Sequence, residues 1–125
     1  DYAGFDTYTD TVVMWYAFKT IIDVAIALGA SETHVQMMWC AASDTTYSLT
    51  EFWGMICEFI GVTPSGFSLT LLLNCFKGSL YMRCVYLLLN PNKECYTFRD
   101  NVSLLNLGDD NISNVSPNCN WFNHT

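Results

Sequence analysis

Apolar residues recur along this chain with two different periods, which predict helices and strands in turn. Residues 11–28 repeat apolar positions every three or four residues, as a helix does, with Asp10 suited to its start and Gly29 to its end. Apolar side chains cover so much of its circumference that we expect this helix to be mostly buried. Ser31 can cap a second helix over residues 32–42.

The period then changes to that of strands. Strand formers at residues 46–49 and 55–60 flank Trp53-Gly54, which predicts a hairpin. A glycine-containing loop at residues 61–66 leads into a long helix over residues 68–89. Asn90-Pro91 then ends that helix, because the residue before a proline disfavours helical dihedrals.

The C-terminal quarter predicts a second hairpin. An apolar run begins at Val102, Gly108 supplies the turn, and Ile112 and Val115 indicate the return strand. Trp121 and Phe122, in the tail after it, are expected to dock on the core. With a short strand at residues 1–5 packed antiparallel to this hairpin and helices on one face, the chain is α+β.

Composition limits the class of protein. With 125 residues and 51% apolar residues, the chain is one domain or a piece of one and can bury a core. It opens on Asp1 without methionine or signal peptide, so we expect an excerpt of a longer polypeptide. We expect no transmembrane segment, because charged or polar side chains interrupt both long apolar stretches, as at Lys19, Asp23 and Lys77. The net charge of −7 argues against direct nucleic-acid binding by this stretch alone.

Two adjacent carboxylates mark the second hairpin. Asp109 and Asp110 follow Gly108 at the expected tip, where like charges repel unless a cation lies beside them. A hard divalent ion such as Mg2+ prefers such oxygen ligands. Gly-Asp-Asp by itself is more often a solvated acidic turn.

A polar stripe runs along the long helix. Thr70, Asn74 and Lys77 fall on one face, while the other faces are apolar. Unpaired buried polar groups are costly, so this face must meet water, a partner or a ligand. A structural hydrogen bond is the simplest role for Asn74, but the neighbouring loop and the acidic N-terminal segment favour a nucleotide site.

Three motifs occur in a fixed order along the chain. They are Asp-x4-Asp at residues 1–6, Ser-Gly-x3-Thr-x3-Asn within residues 64–74, and Gly-Asp-Asp within residues 107–110. This order resembles motifs A, B and C of viral RNA-dependent RNA polymerases of the picornavirus-like superfamily (Picornavirales). Tyr81-Met82-Arg83 and residues 121–125 are similar to members that infect marine protists and invertebrates.

The resemblance implies a fold and a reaction. The fold would be the palm of a right-hand polymerase, with an antiparallel ferredoxin-like sheet and helices on one face. The reaction would be nucleotidyl transfer from a nucleoside triphosphate to an RNA 3′-hydroxyl, with two Mg2+ ions, or Mn2+ in their place. Asp1 and Asp109 would be the principal metal ligands and Asp110 a supporting one.

The resemblance also implies substrate contacts and partners. Asp6, Thr70 and Asn74 would sense the ribose 2′-hydroxyl, and Ser65 with Gly66 would form a mobile loop at the template and nucleotide. The partners would be an RNA template and primer, nucleoside triphosphates, and the fingers and thumb of the parent polypeptide. The location would be viral replication complexes in the host cytoplasm. The fragment alone is expected to be inactive.

The sequence departs from the family pattern at three places. Leu107 replaces the usual aromatic residue before Gly-Asp-Asp, Cys75 replaces the serine after Asn74, and Ser113-Asn114 replaces Met-Gly. None of these changes removes a ligand, although Leu107 alters the packing expected beside the primer end.

A secreted disulfide-bonded glycoprotein, or a binding module without catalysis, is the alternative from another class. The chain has six cysteines and four Asn-x-Ser/Thr sequons, at Asn101, Asn111, Asn114 and Asn123. Cys75 and Cys84 are about 13 Å of helical rise apart and cannot bridge each other. We expect buried free thiols instead.

Overall fold

The computed structural model describes residues 10–64, 66–92 and 94–122. These residues have the predicted α+β architecture, in agreement with a palm-like fold. The elements in chain order are α1 Thr11–Ala27, α2 Glu32–Thr46, β1 Tyr47–Phe52, β2 Met55–Ile60, α3 Thr70–Leu89, α4 Phe98–Asn101, β3 Val102–Leu107, β4 Asp110–Val115 and a 3-10 turn at Pro117–Cys119.

Local side-chain contacts set the ends of α1 and α2. The Asp10 carboxylate accepts a hydrogen bond from the Val12 amide at 2.7 Å, and Ser31 caps α2 through the amide of His34. The helix α2 extends four residues beyond its predicted end at residue 42. In this added turn the Thr45 and Thr46 hydroxyls donate to the carbonyls of Ala41 and Ala42, one turn back, at 2.8 and 2.7 Å.

The helix α1 buries one stripe, so the prediction that it is mostly buried is wrong. Its buried residues are Met14, Ala17, Phe18 and Ile22. Val12 and Tyr16 are 60% and 57% exposed. Apolar composition predicted burial on all sides, but α2 and α3 cover only part of the surface of α1.

The described strands form two separate antiparallel hairpins, β1–β2 and β3–β4. Trp53 and Gly54, with φ angles of 55° and 78°, turn the first hairpin as the sequence predicted. In the second, Leu107 pairs with Asp110 across the turn. The strand predicted at residues 1–5 lies outside the described residues.

Two apolar clusters stabilise the fold, and α3 contributes to both. Leu73 joins residues of α1 and α2 in the first cluster. Tyr86 lies in the second cluster with Phe98, Val102 and Phe122, and Trp121 packs against it. The predicted docking of the tail is therefore confirmed. The short helix α4, which carries Phe98 into this cluster, falls in a stretch where the sequence showed no helical period.

The cysteines and one sequon bear on the glycoprotein alternative. All six cysteines are free, as expected, but only Cys119 is buried. The Asn101 side-chain nitrogen, where a glycan would attach, donates to the Tyr86 hydroxyl at 2.9 Å and to the Thr97 carbonyl at 3.1 Å. A side-chain nitrogen engaged in these two bonds disfavours a glycan on Asn101.

None of the helices within the described ranges is long and apolar enough to cross a bilayer.

The tail should contribute measurably to stability. Phe122 is 6% exposed and packs edge-on to Tyr86 at 5.4 Å between ring centroids. Phe122→Ala should lower the free energy of unfolding by about 3 kcal/mol, because it removes a buried ring and leaves a cavity. Denaturant unfolding measures this. Tyr96→Ala is the control, since Tyr96 is 73% exposed and its loss should cost about 0.5 kcal/mol or less. Equal effects of the two substitutions would contradict the docking of the tail.

Candidate functional site

The tip of the β3–β4 hairpin presents the two adjacent carboxylates. Gly108 adopts φ +67°, a left-handed conformation that favours glycine, and this lets a two-residue loop join Leu107 to Asp110. Asp109 and Asp110 are both exposed. The acidic hairpin tip predicted from the sequence is therefore confirmed.

The helix α3 holds this tip through backbone and side-chain contacts. The Gly108 amide donates to the Cys75 sulfur at 3.2 Å, and the Cys75 thiol donates to the Asn106 carbonyl at 3.6 Å. The Asn106 side-chain amide donates back to the Cys75 carbonyl at 3.1 Å. The sequence identified Cys75 only as a departure from a motif and gave no sign of these contacts across more than thirty residues.

The loop before α3 is tied to the same helix by Thr70. Its hydroxyl lies 2.8 Å from the Pro64 carbonyl oxygen and 2.7 Å from that of Phe67. A hydroxyl has one proton to donate, so the loop carbonyls share it. Thr70 therefore stabilises the loop that leads into α3, in the neighbourhood of Gly66.

Lys77 makes a second connection between α3 and this loop. Its side chain is fully buried, and its ammonium donates to the Thr63 hydroxyl at 2.8 Å. Asn74, 5% exposed, lies on the same face about one turn earlier. Of the polar stripe predicted on α3, Asn74 and Lys77 are thus buried and Thr70 is partly exposed, and the lysine binds the loop.

The predicted site residues divide into those the structure places and those it does not describe. Asp109 and Asp110 lie at the hairpin tip, Thr70 and Asn74 lie in the first turns of α3, and exposed Gly66 lies in the loop. Asp1, Asp6 and Ser65 lie outside the described residues. The common support is the N-terminal half of α3, which contacts both the loop and the tip.

The donor atoms at the tip suit one type of metal site. Across the described parts of the chain, no group of three or more His, Cys, Asp or Glu side chains could hold a metal ion. Two exposed carboxylates match Mg2+ sites, in which one or two carboxylates act together with water and substrate phosphates. The described residues therefore fit an open site completed by other ligands, and not a closed cage of protein atoms.

Comparison with known proteins found viral relatives. The RNA1 polyprotein of Grapevine chrome mosaic virus is 31% identical over 127 residues, which cover 98% of this chain and 6% of that polyprotein. The RNA1 polyprotein of Beet ringspot virus is also 31% identical over 98% of this chain and 5% of its own length. The replicase polyprotein of Cricket paralysis virus is 39% identical over 113 residues, 85% of this chain and 6% of that protein.

No protein-family model matches the chain, and no solved structure matches it. The polyprotein matches extend over most of the chain, including α3 and the β3–β4 hairpin. Each covers a small fraction of a long viral protein. This chain is therefore homologous to a short region of Picornavirales polyproteins.

Proposed function

We propose that this chain is the part of a viral RNA-dependent RNA polymerase palm that contains motifs A, B and C. The observation that carries the proposal is the hairpin tip with Asp109 and Asp110, held by the same helix that presents Thr70 and Asn74. A replicase polyprotein among the homologues supports it. The three motifs, which stand in the order of motifs A, B and C, indicate which residues would bind the metal ions and the nucleotide.

The proposed reaction joins a nucleotide to a growing RNA. The RNA 3′-hydroxyl attacks the α-phosphate of a nucleoside triphosphate, a new phosphodiester bond forms, and pyrophosphate leaves. Asp1, Asp109 and Asp110 would hold Mg2+ or Mn2+. When bound, these ions would neutralise charge on the triphosphate and lower the pKa of the attacking hydroxyl.

The remaining residues of the proposed site would recognise the nucleotide and its ribose. Asp6, Thr70 and Asn74 would act together around the ribose 2′-hydroxyl, the group that distinguishes RNA from DNA precursors. Thr70 would act mainly by fixing the loop, because its hydroxyl is bonded to loop carbonyls. Ser65 and Gly66 would contact the template and nucleotide.

The acidic balance of the chain limits which surfaces hold RNA. The chain has five Lys and Arg residues against twelve Asp and Glu residues, and one of the cations, Lys77, is buried. Phosphate contacts need exposed cations, so template and primer would be held mainly by fingers and thumb elsewhere in the parent polypeptide. The proposed location is viral replication complexes in the host cytoplasm.

Asp109 provides the first test of the proposal. In the full parent polymerase, Asp109→Ala should abolish Mg2+-dependent primer extension, because a ligand of the charge-neutralising site is lost. Asp110→Ala should impair extension less severely. Neither substitution should lower the melting temperature in the absence of Mg2+, since each removes one of two repelling carboxylates.

A matched acidic residue serves as the control for this test. Asp100 is exposed on the short helix α4, away from the hairpin tip, and Asp100→Ala should extend RNA at the wild-type rate. A folded Asp109→Ala parent with wild-type extension would contradict the proposed function.

Asn74 provides the test of sugar choice. Asn74→Ala should lower the preference for ribonucleotides over deoxyribonucleotides by roughly fivefold, since a hydrogen bond to substrate is worth about 1 kcal/mol. Single-nucleotide incorporation kinetics give this ratio within each variant, so the fraction of folded enzyme cancels. Exposed Asn118 is the control, and Asn118→Ala should leave the ratio unchanged. An unchanged ratio in an active Asn74→Ala enzyme would exclude this role.

A further inference from the structure

The contacts of Cys75 suggest more than packing between α3 and the second hairpin. Its sulfur accepts a hydrogen bond from the backbone amide of Gly108, the residue immediately before Asp109. Its thiol proton is directed to the carbonyl of Asn106, two residues before Gly108. One side chain therefore contacts the backbone on both sides of Leu107, where β3 enters the turn.

Asn106 adds a hydrogen bond that runs from the strand back to the helix. Its side-chain amide donates to the Cys75 carbonyl at 3.1 Å, so helix and strand are joined by three hydrogen bonds within a few residues. Leu71 lies beside the turn, with its Cδ1 3.4 Å from the position that a Cβ on Gly108 would occupy. These contacts fix the backbone that carries both carboxylates.

Gly78 allows this close approach. A Cβ on Gly78 would lie 3.2 Å from the Asn106 side-chain nitrogen, which is tighter than ordinary contact, and 3.9 Å from the Gly108 carbonyl oxygen. Glycine lowers helix stability in the interior of a helix such as α3, so its place here is explained by the approach of the hairpin rather than by helix preference.

We propose that Cys75 is a positioning residue for the acidic tip, which sets the backbone of residues 108–110 so that the Asp109 and Asp110 carboxylates meet a divalent cation together. This inference rests on the proposed function. Cys75 touches neither substrate nor metal and acts through the Gly108 amide. Removing a group that orients a metal ligand without touching the metal commonly lowers metal affinity or activity by about 10-fold to 100-fold.

The test uses the full parent polymerase with four substitutions, three of them at cysteines and one at Gly78, and two readouts. Cys75→Ala removes both sulfur hydrogen bonds, Cys75→Ser keeps a donor and an acceptor, and Cys84→Ala removes an exposed cysteine of the same helix. The first readout is the Mg2+ concentration for half-maximal primer extension. The second is hydrogen exchange of the peptide that spans residues 102–115, which needs no activity.

The expected pattern separates positioning from general stability. Cys75→Ala should raise the half-maximal Mg2+ concentration by about 10-fold and speed exchange at the tip. Cys75→Ser should restore most of both, and Cys84→Ala should change neither. Gly78→Ala, which leaves the sulfur in place but crowds Asn106, should shift Mg2+ dependence in the same direction as Cys75→Ala, although alanine favours the helix.

Two results would overturn the inference while leaving the proposed function standing. One is wild-type tip exchange in Cys75→Ala, which would show that the sulfur contacts do not hold the turn. The other is faster exchange with unchanged Mg2+ dependence in an active enzyme, which would show that the turn does not position the carboxylates. If the folded wild-type parent does not extend RNA at all, the proposed function fails, and the positioning role, which rests on it, is overturned as well.

Discussion

The docking of the β3–β4 hairpin tip onto the N-terminal half of α3 is the constraint on which the candidate site depends. A two-residue turn is short, and its carboxylates are exposed, so they have no packing of their own to fix them. The backbone of the turn is fixed instead by the Cys75 sulfur and the Asn106 amide. Without this docking, the two like charges would be free to move apart.

The helix α3 can serve this purpose because both apolar clusters include it. Leu73 connects it to α1 and α2, and Tyr86, about three and a half turns later, connects it to α4, β3 and the tail. Between them, Cys75 and Lys77 contact the hairpin tip and the preceding loop. A helix held at both ends is a rigid support, and rigid support is what a metal site with few protein ligands requires.

Most elements could be predicted from the sequence because their signals are local. Asp10 and Ser31 cap the helices that follow them, and Trp53-Gly54 and Gly108 turn the two hairpins. Each of these positions acts within four residues of itself. The acidic tip was predictable for the same reason, since glycine and two aspartates specify it without help from the rest of the fold.

Other features depend on partners that sequence periodicity does not reveal. The end of α2 differs from the predicted one because Thr45 and Thr46, which are weak helix formers, are buried within the helix, and tertiary context overrides helix propensity. The burial of α1 was overestimated because burial depends on which neighbours cover a helix. The Cys75 contacts were missed because they join residues 31 and 33 positions apart, which no local pattern connects. Cysteine is also a weak hydrogen-bond donor and acceptor, so its presence in a sequence does not suggest such bonds.

We propose that the tip of the second hairpin holds a divalent cation for nucleotidyl transfer. Anomalous diffraction from Mn2+ in crystals of the parent polymerase with RNA and a nucleoside triphosphate tests it most directly, since Mn2+ takes the same oxygen ligands as Mg2+. We expect a peak about 2.1 Å from an Asp109 carboxylate oxygen, near the metal–oxygen distance of Mg2+ sites. Well-occupied Mn2+ elsewhere, with none beside Asp109 or Asp110, would contradict the account.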